Sequence, residues 1–395
     1  MQLKGISVKW NHEGNNMDLL IIGGSGILSS AVVDEAIYQG INVTMVNRGR
    51  RHNFLNPKAE LVIGDIRKEP QALLQKLGNR HFDTVIDFIV WNVEQLSVSL
   101  SLFSNLADQY IFISSAQAYN TSINGILTEK SEKVQPLWKY SVNKYEAECF
   151  LINYCKKNKK NYTIIRPGVN YGSTRIPYGI FPEIGKHWTF VERIIAGKII
   201  PTWNNGENKL NLTRVEDFAL GTVALVGNKK AYNEDFNVVG DNVYIWRDVL
   251  VTLGKLIGKE VKTIDVPVEF YAKYLTGDDK EALLGGRAHD LVCSNEKLKT
   301  IIPSFCTRFD LETGLRMTLE AYENNEYYLG IDYSYEGVTD RMLNDYRKNH
   351  FFERQCFKNY FHKNCIKNHI SYLRSYYQDS ELVKTFSKVK RMCIH

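Results

Sequence analysis

The sequence predicts an α/β chain built on a doubly wound parallel sheet, followed by a smaller α/β domain and a helical C-terminal extension. Three observations carry this. Apolar, β-branched runs alternate with helix-patterned stretches up to residue 170. The stretch LLIIGGSGILSS (Leu19–Ser30) joins the first such run to a helix pattern through a glycine turn. The 395 residues are 44% hydrophobic and 24% charged, which suits a globular chain long enough for two domains.

The elements follow in order. Leu19–Ile22 is a strand, Leu28–Gln39 a helix stopped by Gly40, and Ile41–Val46 a second strand, together one βαβ unit. Gly23, Gly26 and Ser29 occupy the three small-residue positions of a dinucleotide-binding turn. Gly23 permits the tight turn, Gly26 the approach of a pyrophosphate, and Ser29 the close packing of helix on strand. The helix N-terminus, with Ile27 and Leu28 in its first turn, presents amides and a positive dipole end to phosphates. Glu60–Asp65 is a third strand ending in Asp65, next to Ile66. Pro70–Leu77 is a helix, Asp83–Val90 a buried strand, Val93–Ala107 a helix and Gln109–Ser115 a strand ending in two serines. Ligands of such sheets lie at the carboxyl ends of the strands. Gly23, Asn47, Asp65, Asp87 and Ser115 all fall there.

The end of the second strand selects the cofactor. A carboxylate there binds the ribose diol of NAD. This chain has Asn47 and then Arg48, with Arg50 and Arg51 behind, and a guanidinium can pair with a 2′-phosphate. That tilts the reading from NAD towards NADP; a solvated arginine loop is the alternative. Further on, Tyr140 and Lys144 are one helical turn apart and share a face. A lysine there stabilises the phenolate, making a proton-transfer pair. Ser115 supplies a hydroxyl to hold a substrate oxygen against Tyr140.

These pieces together resemble the extended short-chain dehydrogenase/reductases of the NAD-dependent epimerase/dehydratase superfamily, in an atypical branch. The matching segments are GGSGILS (Gly23–Ser29), GD (Gly64–Asp65), FISSAQAY (Phe112–Tyr119), YSVNK (Tyr140–Lys144), RPGVNYG (Arg166–Gly172) and RVEDFA (Arg214–Ala219), in family order. The resemblance implies a Rossmann-like fold, a Ser115/Tyr140/Lys144 triad, and Asp65 at the adenine. The 4,6-dehydratases carry an Asp-Glu pair where this chain has Ala116 and Gln117, which speaks against elimination. Many members place an anion-binding arginine where this chain has Leu210, beside Lys209. Phe88-Ile89-Val90 stands where small residues usually border the cofactor. GGSGILS with NRG (Asn47–Gly49) is similar to the branch that includes chloroplast stem-loop RNA-binding proteins.

The expected domains are a 1–17 extension, an NAD(P)-binding domain over 18–170, a substrate domain over 171–330 and a basic, aromatic helical tail over 331–395. In the second domain, Trp188–Ala196 and Glu216–Val226 read as helices, and Asn205-Gly206 as a hairpin turn. Asp235–Val239 reads as a strand returning to the main sheet, and Ile245–Ile257 as a helix ended by Gly258. Gln117, Asn170 and Arg193 are candidate substrate ligands. Arg175 and His187 are further anion candidates.

Net charge is +6, yet residues 346–395 alone carry eleven Lys/Arg against three Asp/Glu. Phe357, Phe361, Ile366, Ile370, Leu373 and Tyr377 recur there at helical steps. The tail is read as an extension covering the body or an oligomer contact such as a homodimer's, ahead of an RNA or anionic-surface contact. Cys356, His362, Cys365 and His369 match no zinc spacing, so no metal is expected. Seven unpatterned cysteines, no apolar run near twenty residues and a polar Met1–Asn16 point to a cytoplasmic chain without a signal peptide or membrane span. The expected function is NAD(P)-dependent epimerisation or ketone reduction at a secondary alcohol of a sugar or nucleotide-sugar. The alternative is an RNA-binding or regulatory protein that retains the fold.

Overall fold

The computed structural model describes residues 17–49, 55–177, 186–325, 329–349, 352, 354–356, 366–378 and 380. Arg50, Arg51, Phe357, Phe361, His362, Cys365 and the 1–16 extension lie outside them. Two compact units emerge. The first comprises residues 1–172, 209–244 and 289–314, and the second 173–208, 245–288 and 315–395. Residues 209–244 and 289–314 thus cluster with the nucleotide-binding half, although they fall within the 171–330 span.

The chain runs β1 (Asp18–Ile22), α1 (Ile27–Tyr38), β2 (Asn42–Asn47), β3 (Glu60–Ile63), α2 (Pro70–Leu77), β4 (Phe82–Asp87) and α3 (Val93–Phe103). It continues through β5 (Ala107–Ile113), α4 (Lys139–Asn158), β6 (Asn161–Pro167), β7 (Val169–Tyr171), α5 (Thr189–Ile195), β8 (Ile200–Thr202) and β9 (Lys209–Arg214). Then come α6 (Val215–Val223), β10 (Glu234–Val238), β11 (Val243–Ile245), α7 (Trp246–Ile257), β12 (Thr263–Asp265), α8 (Val268–Ala272) and α9 (Gly277–Ala282). Last are α10 (Glu296–Ile301), α11 (Leu311–Glu323), α12 (Tyr333–Tyr346) and α13 (Ile366–Tyr376).

In the first unit the main sheet has the order β10-β6-β5-β4-β1-β2-β3, with every paired strand parallel. The expected return of a strand near 235 is met by β10 beside β6. Alternation within β1 shows why both faces are covered. Leu19 and Ile21 join Val32, Val33 and Phe218 of α1 and α6 on one face. Leu20 and Ile22 join Leu73, Leu96 and Leu151 of α2, α3 and α4 on the other. Each such burial stabilises by about 1.5–3 kcal/mol. The strand order reverses between β1 and β4. Register there pairs Ile22 with Val46 on one side and with Asp87 on the other, so the chain leaves the sheet at Gly23 and Phe88 together, beside Asn47, the last residue of β2.

In the second unit β8 pairs with β12. Asn204–Gly206 is a 3₁₀ turn with Asn204, Asn205 and Gly206 at positive φ. It is not the hairpin expected, because β8 and β9 on either side belong to different sheets. α7 ends as expected at left-handed Gly258. α3 stops at Phe103 rather than Ala107, which already belongs to β5. The tail helix α13 packs on α12, where Gly337 leaves room: a Cβ there would lie 2.4 Å from the Tyr372 carbonyl. The expected apolar stripe of α13 faces outward, with Ile366 79% exposed, and the helix docks instead through Tyr372. No helix among the described residues is long and apolar enough to cross a membrane.

Candidate active site

The glycine turn between β1 and α1 has the geometry its residues suggest. Gly23 sits at φ +97°, and a Cβ there would lie 2.3 Å from Ile89 Cγ2. A side chain is therefore refused twice, by conformation and by space. Ser29 does more than stay small. Its Oγ accepts the Gly26 N–H at 2.8 Å and donates to the Gly23 carbonyl at 3.1 Å, fastening the turn to the helix. The first helical rung runs from the Ser30 N–H to the Gly26 carbonyl. The Ile27 and Leu28 amides precede that ladder, as an anion cradle requires. Ile89 lies over Gly23, so the larger residues after β4 border this turn directly.

At the end of β2, Asn47 Oδ1 accepts the Gly49 N–H at 2.8 Å. That fixes the amide orientation and leaves Nδ2 buried with no partner. Arg48 is exposed. Asp65 Oδ1 accepts the Arg67 N–H at 2.9 Å. That bond, helped by Arg48, holds the Asp65 carboxyl below its ordinary value. The Ile66 side chain is buried in the core with Val62 and Leu73, which leaves its backbone to face a ligand.

Tyr140 and Lys144 lie on one face of α4, with Lys144 Nζ 5.9 Å from the Tyr140 ring centroid. Lys144 is buried, and Nζ donates to the Val90 carbonyl at 2.7 Å and the Ile113 carbonyl at 2.9 Å. The ammonium thus bridges the exits of β4 and β5, two residues before Ser115. Burial pushes the Lys144 ammonium down to about 8, opposed by the carboxylates of Asp87 and Glu148. Ser115 is buried and caps a 3₁₀ turn over Ala116–Ala118, its Oγ accepting the Gln117 N–H at 3.1 Å. The Tyr140 ring packs against Trp138 at 5.2 Å and meets Trp91 edge to face at 5.8 Å.

Two groups support these residues: Asp87, placed at a strand end by the sequence but given no role there, and Glu148, which the sequence reading missed. Asp87 is wholly buried at the end of β4. It accepts from Ser99, from Tyr110 Oη at 2.9 Å and from the Ile89 N–H at 2.8 Å. Burial raises its pKa. Glu148 is one further turn along α4 from Lys144. It takes a forked bond from Arg166 (2.8 and 2.6 Å) and one from Ser114 Oγ. Arg166 also reaches Tyr119 Oη and Asp235. The 140/144/148 spacing could have exposed Glu148. Asp87 had no local pattern beyond its place at a strand end.

Gln117 and Asn170 are both buried. Asn170 Nδ2 donates to the Gly168 carbonyl at 2.9 Å, so its Oδ1 is an acceptor without a partner, as is Gln117 Oε1. Arg193 corrects another expectation. It is 1% exposed, and its guanidinium is spent on Glu336, Asp340 and the Ile199 carbonyl. Lys198 completes this buried cluster, and Tyr372 Oη donates to Asp340 at 2.7 Å. His187 is buried, and burial, with Arg175 nearby, pushes its imidazole down to about 3. Asp217 of RVEDFA is a core carboxylate paired with Arg308 at 2.9 Å.

Comparison with known proteins bears on the family and the fold. Residues 19–239 match the NAD dependent epimerase/dehydratase family. The chain is 27% identical over 311 residues to a chloroplast stem-loop binding protein of 41 kDa from Arabidopsis thaliana, covering 75% of this chain and 77% of that one. Among solved structures it is similar to a UDP-glucose 4-epimerase with UDP-glucose from Thermotoga maritima. There the TM-score is 0.63 at 20% identity, covering 78% of this chain and 99% of that one. It is likewise similar to a dTDP-glucose 4,6-dehydratase in complex with NAD from Bacillus anthracis, with TM-score 0.64 at 20% identity, covering 79% and 98%.

Proposed function

Since this chain belongs to the NAD-dependent epimerase/dehydratase family, we propose that it epimerises or reduces a secondary alcohol or ketone carbon of a nucleotide-sugar. One observation carries the reading. Tyr140 and Lys144 share a helix face, and Lys144 is pinned at 2.7 and 2.9 Å to the exits of β4 and β5, beside Ser115. Tyr140 exchanges the proton of the substrate hydroxyl. Ser115 orients that oxygen. Lys144 spends two N–H groups on backbone and keeps one for the nicotinamide ribose, while its charge favours the phenolate. A bound nicotinamide supplies and takes up the hydride.

The residues fit such a cofactor. Gly23, Gly26 and the amides of Ile27 and Leu28 suit its pyrophosphate. Asn47 carries an unused buried donor where the adenosine ribose is expected, with Arg48 beside it for a 2′-phosphate. Asp65 and the Ile66 backbone suit adenine. The orphan donor of Asn47 and the charge of Arg48 support NADP over NAD. Gln117 and Asn170, with unpartnered acceptors, suit substrate hydroxyls. Ala116 and Gln117 offer no carboxyl acid, which supports hydride chemistry without elimination. The UDP-glucose and dTDP-glucose named for the relatives support the nucleotide-sugar class.

The test is mass spectrometry of the nucleotide released on denaturation, together with Tyr140→Phe. Tightly held NAD supports an epimerase, and exchangeable NADP a reductase. Tyr140→Phe is expected to bind cofactor normally and lose turnover. If no nicotinamide nucleotide is released and none binds on titration, the enzyme reading falls and stem-loop RNA becomes the ligand to test.

A further inference from the structure

Trp91 is an unusual residue to find in the open. It immediately follows Val90, whose carbonyl anchors Lys144. Its side chain is 57% exposed, and Tyr140 is its aromatic neighbour, at 5.8 Å and 78°. Trp138 holds the Tyr140 ring at 5.2 Å, and Leu137 beside it is 60% exposed. An exposed indole leaves a large apolar surface in water. Lys144 links this segment to the other wall of the site. One ammonium touches both Val90 and Ile113, so the backbone that leads to Trp91 and the backbone that leads to Ser115 meet at Lys144. Two residues past Ser115 is the buried, unpartnered Gln117 Oε1.

We propose that Trp91 is a stacking platform for the apolar C–H face of a neutral pyranose, with Gln117 Oε1 accepting a hydroxyl of the same ring. The inference rests on the proposed function and goes further, in naming which residues recognise the sugar ring. A pyranose suits both halves of the subsite. Its C–H face matches an indole, and its hydroxyls donate to a lone amide oxygen. The flat face of a nucleobase or of nicotinamide would also use the indole, and their N–H groups can donate to Gln117 Oε1, so UDP and NAD are the competing ligands of the test.

The probe is ¹⁹F NMR of the full chain labelled with 5-fluorotryptophan. Trp91→Phe identifies the Trp91 resonance among the six tryptophans. NAD, UDP and a panel of methyl pyranosides (gluco, galacto, manno and rhamno) are added separately. At least one pyranoside is expected to shift the Trp91 signal, while NAD and UDP leave it in place. In Trp91→Leu, titrated by calorimetry beside the wild type, the apparent affinity for that pyranoside should fall by about 3–10-fold, with NAD affinity unchanged. No shift with any pyranoside, or an equal shift with UDP or NAD, overturns the proposal. The two readings separate in the same samples. A sugar-induced shift without NAD binding keeps the platform and removes the dehydrogenase-type chemistry; NAD binding without a sugar-induced shift does the reverse.

Discussion

Replacing Lys144 by Met should change how stability depends on pH, and the size follows from the site. The Lys144 ammonium is displaced by burial from 10.5 to about 8. At about 1.36 kcal/mol per pH unit, that displacement is worth about 3.4 kcal/mol. The sign follows from proton counting. Between pH 8 and 10.5 the unfolded chain holds the Lys144 proton more tightly than the folded one, so stability rises with pH across that window. Below pH 8 the burial cost is fully present, and above 10.5 it is gone. Between pH 7 and pH 10 the wild type therefore gains about 2.5 kcal/mol from this one group. Lys144→Met cannot. The buried thiols of Cys155 and Cys293, both pushed up to about 12, pull the other way at high pH, but equally in both proteins. The assay is urea unfolding at several pH values, read as the difference between the two proteins. Absolute stability at pH 7 is a poorer readout. The variant leaves the Val90 and Ile113 carbonyls without the ammonium, at about 1–3 kcal/mol each, while escaping the cost of burying a charge. Parallel pH curves for the two proteins would refute the assignment of Lys144 as a desolvated cation.

Other perturbations follow from the same structure. Gly23→Ala meets both a positive φ and Ile89 Cγ2 at 2.3 Å; it should cost about 1–3 kcal/mol and weaken dinucleotide binding. Adding Ile89→Ala should restore only part of the loss, because it makes room without relieving the backbone; full recovery would show that sterics alone govern the turn. Asn47→Asp replaces an unused donor by a carboxylate and should shift preference from NADP towards NAD by about tenfold, read from paired titrations. Arg193→Met leaves Glu336 and Asp340 with Lys198 as the remaining cation of the cluster. Thermal or urea unfolding should report a loss of about 3–5 kcal/mol, and a loss below about 1 would mean that the cluster contributes little.

The first half of the fold was legible because its signals are local. Glycine punctuation, apolar runs and β-branching mark β1, α1 and β2 within thirty residues, and the parallel sheet follows from their alternation. The Tyr140–Lys144 face was legible for the same reason, being one helical turn. What escaped was non-local. Arg166 finds Asp235 across 69 residues, and Arg193 finds Glu336 across 143. Nothing near Arg193 distinguishes a substrate-facing guanidinium from a buried one. Asn205-Gly206 carried a true turn signal, but a turn cannot tell whether the strands on either side will pair with each other. In α13 periodicity named an apolar face but could not say which way it points. A tyrosine hydroxyl on Asp340 and the gap at Gly337 decide how that helix docks.

The Arg193–Lys198–Glu336–Asp340 cluster also bears on how the chain is made. The two cations are synthesised some 140 residues ahead of the carboxylates that neutralise them. At translation rates of about 5–20 residues per second, they wait about 7–30 s on a growing chain. Through that interval their burial would leave two charges without these partners, so this part of the second unit gains little by closing early. It matures when α12 arrives. A nascent chain that stops short of Glu336 keeps two cations with no place in an apolar interior, and it presents itself to chaperones and proteases as unfinished.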